Sequence, residues 1–396
     1  MRFIHFADTH LGYSDYSKVD PRTGVNRREQ DFYDAWWRVI DAIVAEKPDF
    51  VLHAGDLFQS PRPNNRAIAV ALEGLARIAD ANIPFVVVAG NHSMPRIRAL
   101  GNIFEAIAVL PNVRACYQGR YEKFILPHPV SGKSCAIHCL PHCSLTTELE
   151  KAYAELHVDS AAAWNILVAH GGWRSVKGEN GLDTRMGEFN EQFLEDPEAR
   201  LGLKFDYIAL GHYHRYLGMN DHTFYSGSTE RTSFNEAGYT SGYIRGDLER
   251  RTWEYVTIPS RPMFHLKPLD CAGKSPLEIM RELEQRATME IRDALVSLEM
   301  QKLSRDNYLQ IDIGAIDQLF AKAFHFDRQL NVVSIVAPDE QNAPQAATAL
   351  GHIGSLRDEF ARYLAANTDG ALLRQELEKL GLHYLMEAES EDSDSS

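Results

Sequence analysis

Over its first 260 residues the chain alternates between two hydrophobic periods. Short runs of apolar and β-branched residues, "RFIHFA", "FVLHAGD", "IPFVVVAG", "WNILVAHGG" and "FDYIALGHYHR", stop at Gly, Asp, Asn or His. Between the first three, "FYDAWWRVIDAIVAE" and "NRAIAVALEGLARIADA" space their apolar residues three and four apart, the period of an amphipathic helix. Strands alternating with helices predict an α/β architecture with functional groups at the strand ends. "CAIHCLP", "TFYSGS" and "RTWEYVTI" are strand-like pieces that predict a second sheet rather than one doubly wound sheet.

The pattern then changes. "IPSRPMFHLKPLD" (258 to 270) holds three prolines and reads as a linker. Helix ("PLEIMRELEQRATME"), strand, helix ("IGAIDQLFAKAF") and strand ("LNVVSIVAP") follow as a small αβ unit. After the loop-like "APDEQNAPQAATALG", the segments "SLRDEFARYLAANT" and "ALLRQELEKLGLHYLME" return to helical spacing.

Composition narrows the function classes. The net charge of -14 argues against broad electrostatic coating of nucleic acid, although "EAESEDSDSS" at the end supplies five of the acids and no base. That segment predicts a disordered acidic tail over 387–396. No apolar run approaches the roughly 18 residues of a membrane span, and the start lacks a signal-peptide stretch. Five cysteines, an odd count, predict reduced thiols and a cytoplasmic location.

The strand-end residues carry the chemistry. Asp8, His10, Asp56, Asn91, His170, His212 and His214 are oxygen and imidazole donors with no thiolate among them. Such a set suits borderline-hard ions such as manganese, iron or zinc. Seven donors are too many for one open ion and suit two ions sharing a carboxylate, with Asp56 the natural bridge.

"DTH", "GDLF", "GNH", "AHG" and "GHYH" appear in the order of the calcineurin-like metallophosphoesterase family, which the chain resembles. "IHFADTHLG", "LHAGDLF", "YSGSTERTSFNE" and "IPSRPM" look like its SbcD branch of DNA-repair nuclease subunits, over residues 1 to about 265. The resemblance implies a four-layer α/β/β/α sandwich over 1–260, a small αβ capping domain over 261–338 and a helical partner-binding segment over 339–386. It implies one divalent ion on Asp8, His10, Asp56 and His214, and a second on Asp56, Asn91, His170 and His212. His92 would face the scissile phosphate as general acid or charge stabiliser. Mn2+ is the expected ion, with Mg2+, Fe2+ or Zn2+ as alternatives. The implied partners are DNA, an SbcC-like SMC-type ATPase and a second copy of the chain in a homodimer, with no membrane.

Other features have plainer readings. His5 and His53 sit inside strands and are expected in the core or behind the ligands. "CAIHCLPHC" crowds Cys135, His138, Cys139, His142 and Cys143 but lacks the second ligand pair of a zinc site, so a strand entering a loop is expected. Arg22, Arg27, Arg28, Arg62, Arg66, Arg96 and Arg98 follow three of the motifs and are candidates for DNA phosphate contacts. Leu356, Phe360, Tyr363 and Leu364 fit a helix-in-groove contact with the ATPase.

Two positions depart from the family pattern. Ser93 stands where an acid usually follows "GNH", and Gln59 stands after "GDLF" where Asp or His is common. A serine hydroxyl can orient the His92 ring without adding charge, so both residues are expected to tune activity. The reading is a metal-dependent DNA nuclease subunit of an end-processing, repair or defence complex. Its alternatives are a phosphatase or small-molecule phosphodiesterase on the same scaffold, or a weakly active scaffold subunit.

Overall fold

In the computed structural model of the protein, residues 1–95, 101–128, 130–174 and 191–333 are described. The apolar runs become two six-stranded sheets. The first has the spatial order Thr252–Thr257, Gly242–Asp247, Arg2–Phe6, Phe50–His53, Phe85–Val88 and Val113–Cys116. Its last four strands are parallel, and the first two join antiparallel. The second runs Leu217–Gly218, Thr223–Tyr225, Tyr207–Gly211, Trp164–His170, Ser134–Leu140 and Glu122–Pro127, with a parallel centre and antiparallel edges.

The period of two along each strand builds the layers. Ile4, Phe6, Val51, Phe85 and Val87 face one way, into a core with Trp36, Val39, Ile40, Ile43, Leu75 and Ile78. Those last six come from helices Arg27–Glu46 and Asn65–Asp80. Phe3, Ala7, Phe50, Leu52, Val86 and Val88 face the other way and meet Ile137, Cys139, Ile166, Val168, Tyr207 and Ala209 of the second sheet. On the outer face of that sheet, Leu140, Leu167 and Ile208 pack with Ala152 and Tyr153 of helix Thr146–Glu155. The result is the expected helix–sheet–sheet–helix sandwich. Both long helices start at asparagine caps: Asn26 accepts from the amides of Arg28 and Glu29, and Asn64 from that of Ala67.

The expected linker at 258–270 is in part structured. Met263–His265 and Leu269–Asp270 pair with the long strand Leu295–Ser304, which also pairs with His325–Val333. Pro262 and Pro268 fall just outside these short strands, where a missing N–H breaks no ladder bond. Helix Pro276–Arg286 opens with a Ser275/Glu278 capping box and packs Ile279 and Leu283 against Leu269, Val296, Leu298 and Phe320. This αβ sheet belongs to the same compact unit as the sandwich, Met1–Ser334. Met263, Leu295 and Phe324 join it to Tyr16, Phe234 and Ala237. No helix among the described residues is long and apolar enough to cross a membrane.

Candidate metal centre

The parallel strands of the two sheets deliver their functional residues as they end. Asp8 and His10 follow Arg2–Phe6, Asp56 follows Phe50–His53, Asn91 and His92 follow Phe85–Val88, His170 closes Trp164–His170, and His212 and His214 follow Tyr207–Gly211. The turns are sharp enough to leave ordinary backbone space. Asp8, His10 and Asp56 have φ of 51°, 43° and 51°, and His212 has 100°. Left-handed conformations at non-glycine residues cost of order 1–3 kcal/mol each and persist where surrounding structure imposes them. Two motif glycines are needed for room: a Cβ on Gly55 would lie 2.1 Å from His170 Nδ1, and one on Gly90 would lie 2.2 Å from Asp56 Oδ1.

The backbone stitches these ends together. The Asp8 amide donates to the Gly55 carbonyl at 3.0 Å, and the His10 amide to the Asp56 carbonyl at 3.0 Å. The His212 amide donates to both Asp8 carboxylate oxygens at 3.0 Å, and the His92 amide to Asp56 Oδ1 at 3.0 Å. Three groups of buried or half-buried donors result, each within 4.8 Å: Asp8, His10 and His214; His10, Asp56 and His92; Asp56, His170 and His212. Asn91 joins the last through Oδ1, 3.0 Å from His170 Nε2.

Hydrogen bonds on the far side of each ring set its tautomer. Glu236 Oε1 lies 2.9 Å from His214 Nδ1, and Thr232 donates to the same carboxylate through Oγ1 and its amide. Burial opposes charge on Glu236, but His214 and the Thr232 bonds bring it down to about 2. An ionised carboxylate only accepts, so His214 Nδ1 carries the proton and Nε2 presents a lone pair, 3.0 Å from His10 Nε2. His170 Nδ1 likewise donates to the Ala54 carbonyl at 2.8 Å. Its Nε2 then faces Asp56 Oδ2 at 3.2 Å and Asn91 Oδ1 at 3.0 Å. Glu191 Oε1 is 2.7 Å from His212 Nε2.

Lone pairs converging in this way repel unless a proton or a cation lies among them. Burial works against both central carboxylates, pushing Asp8 up to about 6. At Asp56 burial is outweighed by His170 and by the charges of His92 and His10, which hold it well below the usual range. Burial alone would lower His170, yet Asp56 and Asp8 raise it. The pocket calls for positive charge, and its oxygen and imidazole donors fit divalent metal ions.

His92 is turned by a different group from the one expected. Its Nδ1 lies 3.0 Å from the Gln59 backbone carbonyl, so that carbonyl accepts and Nε2 is left toward the centre side. The ring packs edge-on against His10, with centroids 4.9 Å apart. Ser93 is buried and its Oγ makes no hydrogen bond, so it does not orient the ring. Gln59 acts through its backbone, which any residue supplies, while its Oε1 is buried without a partner.

The remaining candidates divide. His5 is buried against the Tyr207 hydroxyl at 3.0 Å and His53 against Thr9 Oγ1 at 3.1 Å, behind the ligands. In the Cys–His cluster, Cys135 and Cys139 lie between the sheets, while His138 points to the other face and bonds Tyr121 and Asn165. Arg22, Arg62 and Arg66 are exposed, and Arg27 pairs with Asp293 at 3.2 Å. Arg28 is a correction. It is buried, and its guanidinium is committed to Asp31 at 2.8 Å, Glu230 at 3.2 Å and the Arg231 carbonyl, with no face left for DNA. Arg96, Arg98, Leu356, Phe360, Tyr363 and Leu364 lie outside the described residues.

Comparison with known proteins gives this geometry its context. The calcineurin-like phosphoesterase family matches residues 1–216, more than half of the chain. The chain belongs to the calcineurin-like phosphoesterase family. As a phosphoesterase it is similar to proteins named DNA double-strand break repair protein Mre11. The one from Methanocaldococcus jannaschii is 33% identical over 301 residues, covering 72% of this chain and 74% of that protein. That of Haloferax volcanii is 32% identical over 310 residues, covering 76% and 61%. That of Methanococcus maripaludis is 29% identical over 278 residues, covering 66% and 68%.

Three residues around this phosphoesterase centre escape a motif reading. Glu236 is one of two acids, with Glu230, in "YSGSTERTSFNE". Glu191 and Gln192 stand some 20 residues past His170 with no pattern around them. Gln192 donates to the His170 and Pro141 carbonyls and accepts from the Cys143 amide at 2.9 Å.

Proposed function

We propose that the chain is a metal-dependent nuclease that hydrolyses phosphodiester bonds of DNA. Asp8, His10, Asp56 and His214 would hold one divalent ion, and Asp56, Asn91, His170 and His212 the second. The observation that carries this reading is the run of three donor clusters linked through His10 and Asp56, in a chain similar to DNA double-strand break repair proteins. Bound ions would supply a nucleophilic hydroxide at neutral pH and neutralise charge on the phosphoryl oxygens. The chain's own residues do the rest. Glu236, Glu191 and the Ala54 carbonyl fix the ligand rings, and the Gln59 carbonyl holds His92 through Nδ1, so that Nε2 would donate a proton to the leaving oxygen.

Mn2+ is the proposed ion, since carboxylate, amide and imidazole ligands together suit it. The exposed Arg22, Arg62 and Arg66 remain the proposed phosphate contacts. The capping domain over 261–338 and the partner-binding segment over 339–386 are proposed to govern DNA entry and to hold an SbcC-like SMC-type ATPase. Homodimerisation and a cytoplasmic location are further parts of this reading.

The test is cleavage of labelled linear, hairpin and single-stranded DNA with Mn2+, Mg2+ or chelator, with Asp56→Ala in parallel. Manganese-dependent cleavage that the variant lacks supports the reading. Hydrolysis of aryl phosphomonoesters with DNA untouched favours a phosphatase instead.

A further inference from the structure

His142 stands out among the buried histidines. It follows strand Ser134–Leu140, whose Leu140 pairs with Ala169, so the chain passes beside His170 as it leaves the sheet. Its amide donates at 2.8 Å to the carbonyl of Ala89, the residue before Gly90-Asn91-His92. On its two sides, Gln192 takes the Cys143 amide and donates to the Pro141 and His170 carbonyls. The segment is thus tied to the strand ends that present Asn91 and His170.

His142 is 2% exposed, and its Nδ1 is buried without a hydrogen-bond partner. Among other buried rings away from the ligand set, His138 meets Tyr121 and Asn165, while His5 and His53 meet Tyr207 and Thr9 through one nitrogen and, like His142, bury another without a partner. A buried imidazole nitrogen left unsatisfied is destabilising. The groups that act on the ring electrostatically are His170, Asp56, His212 and His92, all members of the centre.

We propose that His142 is a positioning residue of the second-ion half of the centre. Its Nδ1 takes its missing partner from the ligand shell of the ion held by Asp56, Asn91, His170 and His212. This rests on the two-ion reading. It assigns a place to a residue that neither the five motifs nor the ligand set contains. The segment 141–143 then acts as a clamp, with backbone bonds fixing where the ring can stand.

The test is calorimetric titration of the purified chain with Mn2+, comparing wild type, His142→Phe and His142→Asn. Phenylalanine keeps the packing and removes both ring nitrogens, and asparagine restores a polar group. The expected result is a second-site affinity lowered about 10–100-fold in His142→Phe, with the first site unchanged and partial recovery in His142→Asn. In chelator, His142→Phe should melt at or above the wild-type temperature, because an orphaned polar group has gone. Two wild-type binding events with His142→Phe unaffected would overturn the inference and leave the two-ion reading standing. A single wild-type event would overturn both. A lower melting temperature in chelator with unchanged metal binding would make His142 a core residue.

Discussion

Two sets of buried histidines in this fold look alike by position and exposure. His5, His53 and His138 are 0% exposed, while His10, His170, His212 and His214 are 0–3% exposed. Burial therefore separates nothing. What differs is the company each ring keeps. Members of the first set lie inside strands and meet hydroxyl or amide groups that can donate or accept as needed. Members of the second stand at strand ends, where His214, His170 and His212 each have one nitrogen matched to an acceptor, and His214 and His170 turn the other to further ligand atoms. A ring that meets adaptable neighbours inside a strand is structural. A ring locked from behind and left facing lone pairs asks for a cation.

The largest test of this contrast is the shared carboxylate. Asp56→Ala should reduce DNA cleavage to background and abolish binding of one Mn2+ or both, whereas His5→Gln should leave metal stoichiometry intact; calorimetry and a cleavage assay read both. Next comes His92. His92→Ala is expected to lower kcat by about 10²–10⁴-fold, the usual contribution of a general acid, with metal stoichiometry unchanged. Glu236→Gln keeps the shape but weakens the lock on His214, so metal affinity should fall about 10–100-fold.

The last test concerns the structural set. Burial pushes His5 and His53 down to about 3 and His138 to about 4, from an ordinary 6.5. The folded state keeps these rings neutral while the unfolded chain takes up protons below 6.5, so stability rises with pH there. It is fully present above about pH 6.5 and lost as pH falls toward 3–4, at up to about 1.4 kcal/mol per pH unit for each ring. Asp8, raised to about 6 from 3.8 by burial, works the other way between those values. Urea unfolding in chelator at several pH values should therefore show net loss below pH 6.5, smaller in His138→Gln.

Much of this was legible in the residues because the relevant signals are local. The alternation in "FVLHAGD" and "IPFVVVAG" assigns Val51 and Val87 to the helix side and Leu52 and Val88 to the space between sheets. The motif order brings seven donors to neighbouring strand ends. Contacts between distant segments were not legible. Nothing in "RREQD" shows that Arg28 is buried against Glu230, 202 positions away, while Arg27 beside it reaches the αβ sheet through Asp293. Nor could the chain alone show that Gln59 serves His92 through its backbone. That fact makes the departure from Asp or His at this position less consequential than side-chain chemistry suggests. The short strands in 258–270 were hidden by prolines that flank them without interrupting a ladder.

The most direct measurement is a crystal structure of the protein soaked with Mn2+, with anomalous scattering used to locate the ions. Two peaks are expected about 3.5–4 Å apart, bridged by Asp56, with His10 and His214 on one and His170 and His212 on the other. A single peak, or manganese bound away from Asp56, would contradict the account.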